Sequence, residues 1–170
     1  MLRTVFPALA LVAATALPLF AEELATPTGD VILTVSGPLE TTNVDGTAQF
    51  DLEMLEALDA TTFETTTIWT EGEHSFTGVS LDLLVDRLGL EGETLRATAI
   101  NDYAIDIPLS DAVEGGPIVA YRMDGDTMSV RDKGPLWVVY PYDIKPDEYQ
   151  NDVIYSRSIW QLDRMTVVDE

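Results

Sequence analysis

Turn-forming residues divide the chain after residue 30 into short apolar segments, and this spacing constrains the fold more than any other feature. Segments rich in β-branched and aromatic residues predict strands at 31–36, 63–69, 95–100, 103–107, 117–123, 136–140 and 159–168. Only two segments have helical spacing, a short one at 50–58 and one at 81–88 that Ser80 and Gly89 can cap. Short strands with two short helices predict a single mixed α+β domain.

The N-terminus has the pattern of a secretory signal peptide. Arg3 precedes an apolar run over residues 5–19, and Ala21 stands just before the first acidic residues. A membrane anchor is the alternative interpretation. The run is short for a bilayer span, however, and Pro7 and Pro18 interrupt it.

These features predict three parts along the chain. We expect a signal peptide over residues 1–21, a flexible leader over 22–30 and one domain over 31–170, because no repeat or linker divides the rest. The sequence therefore predicts an exported protein, located in a bacterial periplasm, with no membrane insertion after signal cleavage.

The chain is strongly acidic and lacks cysteine. Its 30 Asp and Glu residues outnumber nine Lys and Arg residues, and the net charge of -21 argues against nucleic acid as a partner. The absence of cysteine excludes disulfides and thiolate ligands, and the single histidine excludes a two-histidine metal site. An acidic surface suits docking on another protein, although a high-salt habitat would explain it equally well.

Four motifs occur in series over the C-terminal part of the chain. They are Phe-Thr-Gly-Val-Ser-Leu-Asp-Leu-Leu at 76–84, Asn-Asp-Tyr at 101–103 leading to 107–109, Ala-Tyr-Arg-Met-Asp-Gly at 120–125, and Gly-Pro-Leu-Trp-Val-Val-Tyr-Pro at 134–141, followed by Trp160. In order and spacing they resemble the molybdopterin-binding domain of the sulfite-oxidase-like oxidoreductases. This resemblance implies the mixed-sheet fold of that family and a cleft of pterin size.

The chain departs from that family at two functional points. The family's enzymes hold molybdenum through a cysteine on the loop after the strand that matches 65–69, and this sequence has no cysteine. They usually place an arginine after the Gly-Pro-Leu step, where Trp137 stands here. The resemblance is therefore closest to small periplasmic members that bind a pterin without metal, some of which regulate membrane sensors controlling cyclic di-GMP.

Three residues are the principal candidates for contacting a pterin, which is a flat, polar bicycle. Trp160 could stack on the ring, Arg157 could stack or donate to a ring oxygen, and Asp102 could accept two hydrogen bonds from the amino-pyrimidine edge. Each has an alternative interpretation: a tryptophan of the core, an arginine in a surface ion pair, and an Asn-Asp turn without a ligand.

Loop residues complete the predicted site. They are Trp69, His74, Asn101, Tyr103, Tyr140 and Tyr142. The tyrosines at 140 and 142 could line the cleft or simply cover the core, and His74 could equally be an exposed histidine of an acidic loop. The sequence predicts no catalytic residue and no metal ligand.

Three functional hypotheses follow. The first is a noncatalytic periplasmic protein that binds a reduced pterin without molybdenum. It would relay occupancy to the periplasmic domain of a membrane signalling protein, either a cyclic di-GMP enzyme or a sensor kinase. The second is a molybdopterin-dependent oxidoreductase or a subunit of one. The third is an interaction domain without a ligand.

Overall fold

The computed structural model of the chain describes residues 24–168, so the predicted signal peptide lies outside the described residues. The strands are β1 (Leu33–Ser36), β2 (Ala48–Phe50), β3 (Ala60–Thr66), β4 (Glu73–Ser80), β5 (Thr94–Ala99), β6 (Ala104–Pro108), β7 (Ile118–Met123), β8 (Asp126–Thr127), β9 (Leu136–Val139) and β10 (Trp160–Val168). The helices are α1 (Leu52–Glu56), α2 (Leu81–Leu88), α3 (Pro146–Tyr149) and α4 (Asp152–Arg157). In this part of the chain, no helix combines the length and apolar character that a bilayer crossing needs.

All ten strands belong to one mixed sheet that curls around β10. Its main order is β2-β1-β10-β9-β7-β4-β3, and β5 pairs with the opposite edge of β10 and with β6. The β1 strand runs parallel to β10, whereas the other pairings are antiparallel. The predicted α+β fold of a single domain is therefore confirmed.

The core lies where the central strands are buried on both faces. All four residues of β9 are buried, as are the first four of β7. The β4 and β7 backbones approach so closely that a Cβ atom on Gly78 would lie 2.2 Å from the Val119 carbonyl oxygen. Only glycine fits there without displacing a strand.

Helix α2 forms as its capping residues predict. The Ser80 Oγ accepts a hydrogen bond from the Leu83 N–H at 3.1 Å, and Gly89 ends the helix in the left-handed conformation with φ of 59°. Leu84 and Leu88 are buried on the side facing the sheet.

The structure differs from the predicted elements at several places. Phe50 belongs to β2 and not to the predicted helix at 50–58, because Asp51 caps a helix that begins only at Leu52. Strand β4 was not predicted as a strand, and α3 and α4 occupy a segment that reads as a polar loop.

The described part of the predicted leader contacts the domain. Leu24 is buried, and the N–H groups of Thr28 and Gly29 both donate to the Asp51 Oδ2 at 2.8 Å. The Asp51 Oδ1 accepts from the Met54 N–H at 2.9 Å. These backbone hydrogen bonds, that of Gly29 first, lower the pKa of the Asp51 carboxyl.

Candidate functional site

A cavity of about 480 Å³ lies where the loop after β3, the β5–β6 turn, α4 and the start of β10 meet. Its lining residues are Ile68, Trp69, Ala99, Asn101, Tyr103, Asp152, Tyr155, Ser156, Ser158, Ile159, Trp160 and Gln161. Of the nine residues predicted from sequence, the structure brings four to this cavity: Trp69, Asn101, Tyr103 and Trp160.

All three tryptophans of the chain meet in one cluster. The Trp69 ring centroid lies 5.6 Å from that of Trp160 and 5.9 Å from that of Trp137, and both pairs pack edge to face. Tyr155 of α4 packs edge to face against Trp69 at 5.8 Å. Edge-to-face packing of this kind fixes the orientation of each ring, so the aromatic wall of the cavity is preformed.

Trp160 is the most exposed ring of the cluster. It is 37% exposed, whereas Trp137 is fully buried beneath it. The Lys133 ammonium lies 5.1 Å from the Trp160 ring centroid and 5.5 Å from that of Trp137. Trp160 therefore combines a fixed position with an accessible surface.

A buried hydrogen-bond network supports the cluster from below. The Trp137 Nε1–H donates to the Ser158 carbonyl at 3.1 Å, and the Ser158 Oγ donates to the Ile154 carbonyl at 3.0 Å. Because the serine proton is occupied in this way, the Tyr142 hydroxyl donates to the Ser158 Oγ. Burial raises the pKa of Tyr142 to about 12, which keeps this donor protonated. Tyr142 thus supports the cavity wall without lining it.

Arg157 and Tyr140 share one carboxylate outside the cavity. The Tyr140 hydroxyl donates to the Asp111 Oδ2 at 2.7 Å, and the Arg157 Nη1 donates to the same oxygen at 2.9 Å. Burial raises the pKa of Tyr140, and the bond to Asp111 adds to that shift. This arrangement attaches the end of α4 to the segment after β6.

Asp102 and His74 also lie outside the cavity lining. Asp102 forms an ion pair with Arg164, and its side chain is 85% exposed. The His74 Nδ1 lies 2.7 Å from the Asp124 Oδ2, in the turn between β7 and β8. The hydrogen bond from His74 lowers the pKa of the Asp124 carboxyl. Pterin contact by the nine predicted residues stays a prediction; the geometry favours the four that line the cavity.

Polar groups stand along the rim of the aromatic wall. The Asn101 Oδ1 accepts from the Tyr103 N–H at 3.2 Å, and the Gln161 Nε2 donates to the Val130 carbonyl at 2.6 Å. These bonds leave the Asn101 amide nitrogen and the Gln161 amide oxygen to face a ligand. Among residues 24–168, no group of His, Asp or Glu side chains could hold a metal ion. The arrangement suits stacking and edge recognition of a flat, polar ring.

Sequence reasoning missed the contribution of α4 to the cavity. Asp152, Tyr155 and Ser156 lie on this helix, in a segment read as a polar loop. Asn151 supplied a signal, because its Oδ1 accepts from the N–H groups of Val153 and Ile154 as a helix-capping residue does.

Comparison with known proteins gives one family match. The family model described as the oxidoreductase molybdopterin binding domain matches residues 41–144, which is more than half of the chain. The matched range includes the loop that carries Ile68 and Trp69, and the β5–β6 turn that carries Asn101 and Tyr103. None of the curated proteins compared matches the chain.

Proposed function

This chain belongs to the oxidoreductase molybdopterin-binding domain family, and on that premise we propose that it binds a reduced pterin without molybdenum as a noncatalytic protein. The observation that carries the proposal is the preformed aromatic cavity, in which Trp160 is both fixed by its neighbours and 37% exposed. Occupancy of this cavity is then relayed to the periplasmic domain of a membrane signalling protein, either a cyclic di-GMP enzyme or a sensor kinase.

The cavity has the properties that a pterin requires. Its volume of about 480 Å³ lies within the range of small-molecule sites. Stacking on an aromatic side chain contributes about 1 to 3 kcal/mol per ring when the ligand is a nucleobase, which is similar in shape and polarity to a pterin. Asn101, Ser156 and Gln161 provide amide and hydroxyl groups for the ring edge.

The side chains on the loop after β3 favour a pterin that carries no molybdenum. The family's enzymes anchor the metal through a cysteine on the loop after the strand that corresponds to β3. In this chain Ile68 and Trp69 carry that loop into the cavity. Both side chains are apolar surfaces that suit ring contact and offer no metal ligand.

An apolar rim around the mouth supports readout by a partner. Ile68 and Tyr103, which both line the cavity, are 60% and 55% exposed, respectively. A protein covering this rim would contact the ligand directly, so occupancy would change its affinity. A coupling free energy of about 1 to 3 kcal/mol corresponds to a 5- to 150-fold change in partner affinity.

A second candidate function is a molybdopterin-dependent oxidoreductase or a subunit of one, and family membership favours it. The lining residues do not fit the phosphate group of molybdopterin, because the cavity lining in the described part of the chain contains one carboxylate and no Lys or Arg. A third candidate is an interaction domain without a ligand, which would use the apolar rim alone.

The ligand experiment separates these candidates. The protein is purified from its native periplasm, the released small molecules are identified by mass spectrometry, and molybdenum is measured by elemental analysis. We expect a stoichiometric pterin without stoichiometric molybdenum. Stoichiometric molybdenum would favour the oxidoreductase, and release of neither would favour the interaction domain.

The partner experiment tests the relay. Tagged protein is used to capture proteins from solubilised membranes, with and without an added reduced pterin. We expect a membrane signalling protein whose recovery changes with the pterin and falls as salt concentration rises. Recovery of no membrane protein in either condition, together with turnover of a small substrate, would contradict the relay.

A further inference from the structure

Asp152 is the one charged side chain that lines the cavity in the described part of the chain. It stands at the first position of α4, and it is exposed. Within residues 24–168 its carboxylate has no hydrogen-bond or ion-pair partner, in contrast to Asp51, whose two oxygens accept three backbone hydrogen bonds. The Asp152 carboxylate is therefore available to a molecule in the cavity.

Three cations close to the cavity in the described part of the chain already have partners. Arg157 donates to Asp111 through a partly buried pair, and Arg164 pairs with Asp102. The Lys133 ammonium lies over two tryptophan rings. A phosphate entering the cavity would therefore meet an unpaired carboxylate and no Lys or Arg among the described lining residues, and these three cations could reach it only by leaving an existing contact.

The Asp152 carboxylate favours contact with the amino-pyrimidine edge of a pterin and disfavours a phosphate on the pterin's side chain. The amino-pyrimidine edge presents N–H donors, and a carboxylate accepts two of them in a charge-assisted arrangement. A phosphate on the ligand's side chain carries negative charge, and like charges brought together across a binding site weaken binding. The acidic protein, with its net charge of -21, adds repulsion at longer range.

We propose that the cavity selects unphosphorylated pterins and that Asp152 is the residue that determines this specificity. The inference rests on the proposed pterin-binding function and deepens it. It assigns the ligand to the class of pterins without a negatively charged side chain, in contrast to the phosphate-bearing cofactor for which the family is named.

The test compares two ligands that differ only in one phosphate. Affinities for 7,8-dihydroneopterin and 7,8-dihydroneopterin 3′-monophosphate are measured by calorimetry with the wild-type protein, with Asp152→Asn and with Asp126→Asn. The last variant removes the same charge from β8, outside the cavity. We expect the wild type to prefer the unphosphorylated ligand by about tenfold or more, since about 1.4 kcal/mol of repulsion corresponds to tenfold.

The Asp152→Asn substitution should reduce this preference to about threefold or less, because it removes the repulsion of the phosphate. Weaker recognition of the ring edge lowers the affinity for both ligands alike and leaves their ratio unchanged. Asp126→Asn should retain the wild-type preference. If the wild type bound the phosphorylated ligand equally well or more tightly, the inference would be overturned but the proposed pterin function would stand. The same would follow if Asp152→Asn kept the full wild-type preference for the unphosphorylated ligand. Binding of neither ligand to a folded wild type would overturn the pterin function itself.

Discussion

Two hollows in the molecule differ in the hydrogen-bond partners of one lining aspartate and in their aromatic side chains. The hollow of about 330 Å³ beside residues 28–32 and 51–53 contains Asp51, whose oxygens are occupied by the N–H groups of Thr28, Gly29 and Met54. The aromatic cavity contains Asp152, whose carboxylate has no partner within the described residues, and Trp160, whose ring is partly exposed.

Aromatic lining separates the two hollows more clearly than free carboxylates do. Four ring side chains line the aromatic cavity, whereas no aromatic residue is among the described residues that line the smaller hollow, which also has the exposed carboxylates of Asp30 and Glu53. In the smaller hollow, Asp51 connects the N-terminal segment to α1, which is a structural role. In the aromatic cavity, the structural hydrogen bonds lie below the surface at Ser158, and the rim retains groups for a ligand. The proposed function therefore places the ligand in the aromatic cavity, and the contacts beneath it contribute stability.

The largest loss of stability is expected at Trp137, the buried ring that packs against Trp69 and Trp160. Trp137→Ala should lower the free energy of unfolding by about 3 to 5 kcal/mol, because it removes a fully buried ring from a packed core. Trp160→Ala is the matched control and should cost less stability, since the Trp160 ring is partly exposed. Chemical denaturation of both variants measures the difference. Equal losses of stability in the two variants would contradict the distinction between the buried Trp137 and the partly exposed Trp160.

A smaller effect is expected at the hydrogen-bond network below the cavity. Ser158→Ala should cost about 1 to 3 kcal/mol of stability, because the buried Tyr142 hydroxyl loses its acceptor. Adding Tyr142→Phe removes the unpaired group, so the double variant should cost less than the sum of the two single variants. Thermal and chemical unfolding of the three variants test this. If the stability losses of the two single variants simply added in the double variant, the Ser158 and Tyr142 hydroxyls would not stabilise each other.

The smallest expected effect is at Asp51, in the smaller hollow, and concerns the pH dependence of stability. The folded-state pKa of Asp51 lies below its ordinary value of 3.8. The unfolded state therefore binds the proton first on acidification, and the contribution of Asp51 is present above about pH 4 and lost as pH falls further. Asp51→Asn should make stability less dependent on pH in this acidic range.

Asp59→Asn, which removes an exposed carboxylate just after α1, is the control for the loss of one charge. Denaturation midpoints between about pH 2 and pH 6 compare it with Asp51→Asn over the range in which the Asp51 contribution is lost. If the stability of Asp51→Asn depended on pH as strongly as that of the wild type, the assignment of a structural role to Asp51 would be wrong.

The sequence predicted elements whose signals are local. Ser80 and Gly89 marked the ends of α2, and the apolar run at 136–140 marked β9, because capping residues and buried strands leave direct patterns. The order of the motifs also predicted the family, which the match over residues 41–144 confirmed.

Elements that depend on distant contacts could not be predicted in this way. Strand β2 is three residues long and exists because it pairs with β1. Helix α4 has only six residues, and burial of Ile154 holds it against the domain. Since α4 brings Asp152 and Tyr155 to the cavity, the sequence could predict Trp69 and Trp160 as lining residues but not the Asp152 carboxylate.

The most direct test of the central claim is the affinity of Trp160→Ala for 7,8-dihydroneopterin, measured by calorimetry beside the wild type. Ile144→Ala, which shortens an exposed apolar side chain outside the cavity, is the control. The thermal midpoint of each variant establishes that it is folded. We predict that Trp160→Ala weakens binding by about 1 to 3 kcal/mol and that Ile144→Ala does not. Unchanged pterin affinity in folded Trp160→Ala would contradict the assignment of the aromatic cavity as the pterin site.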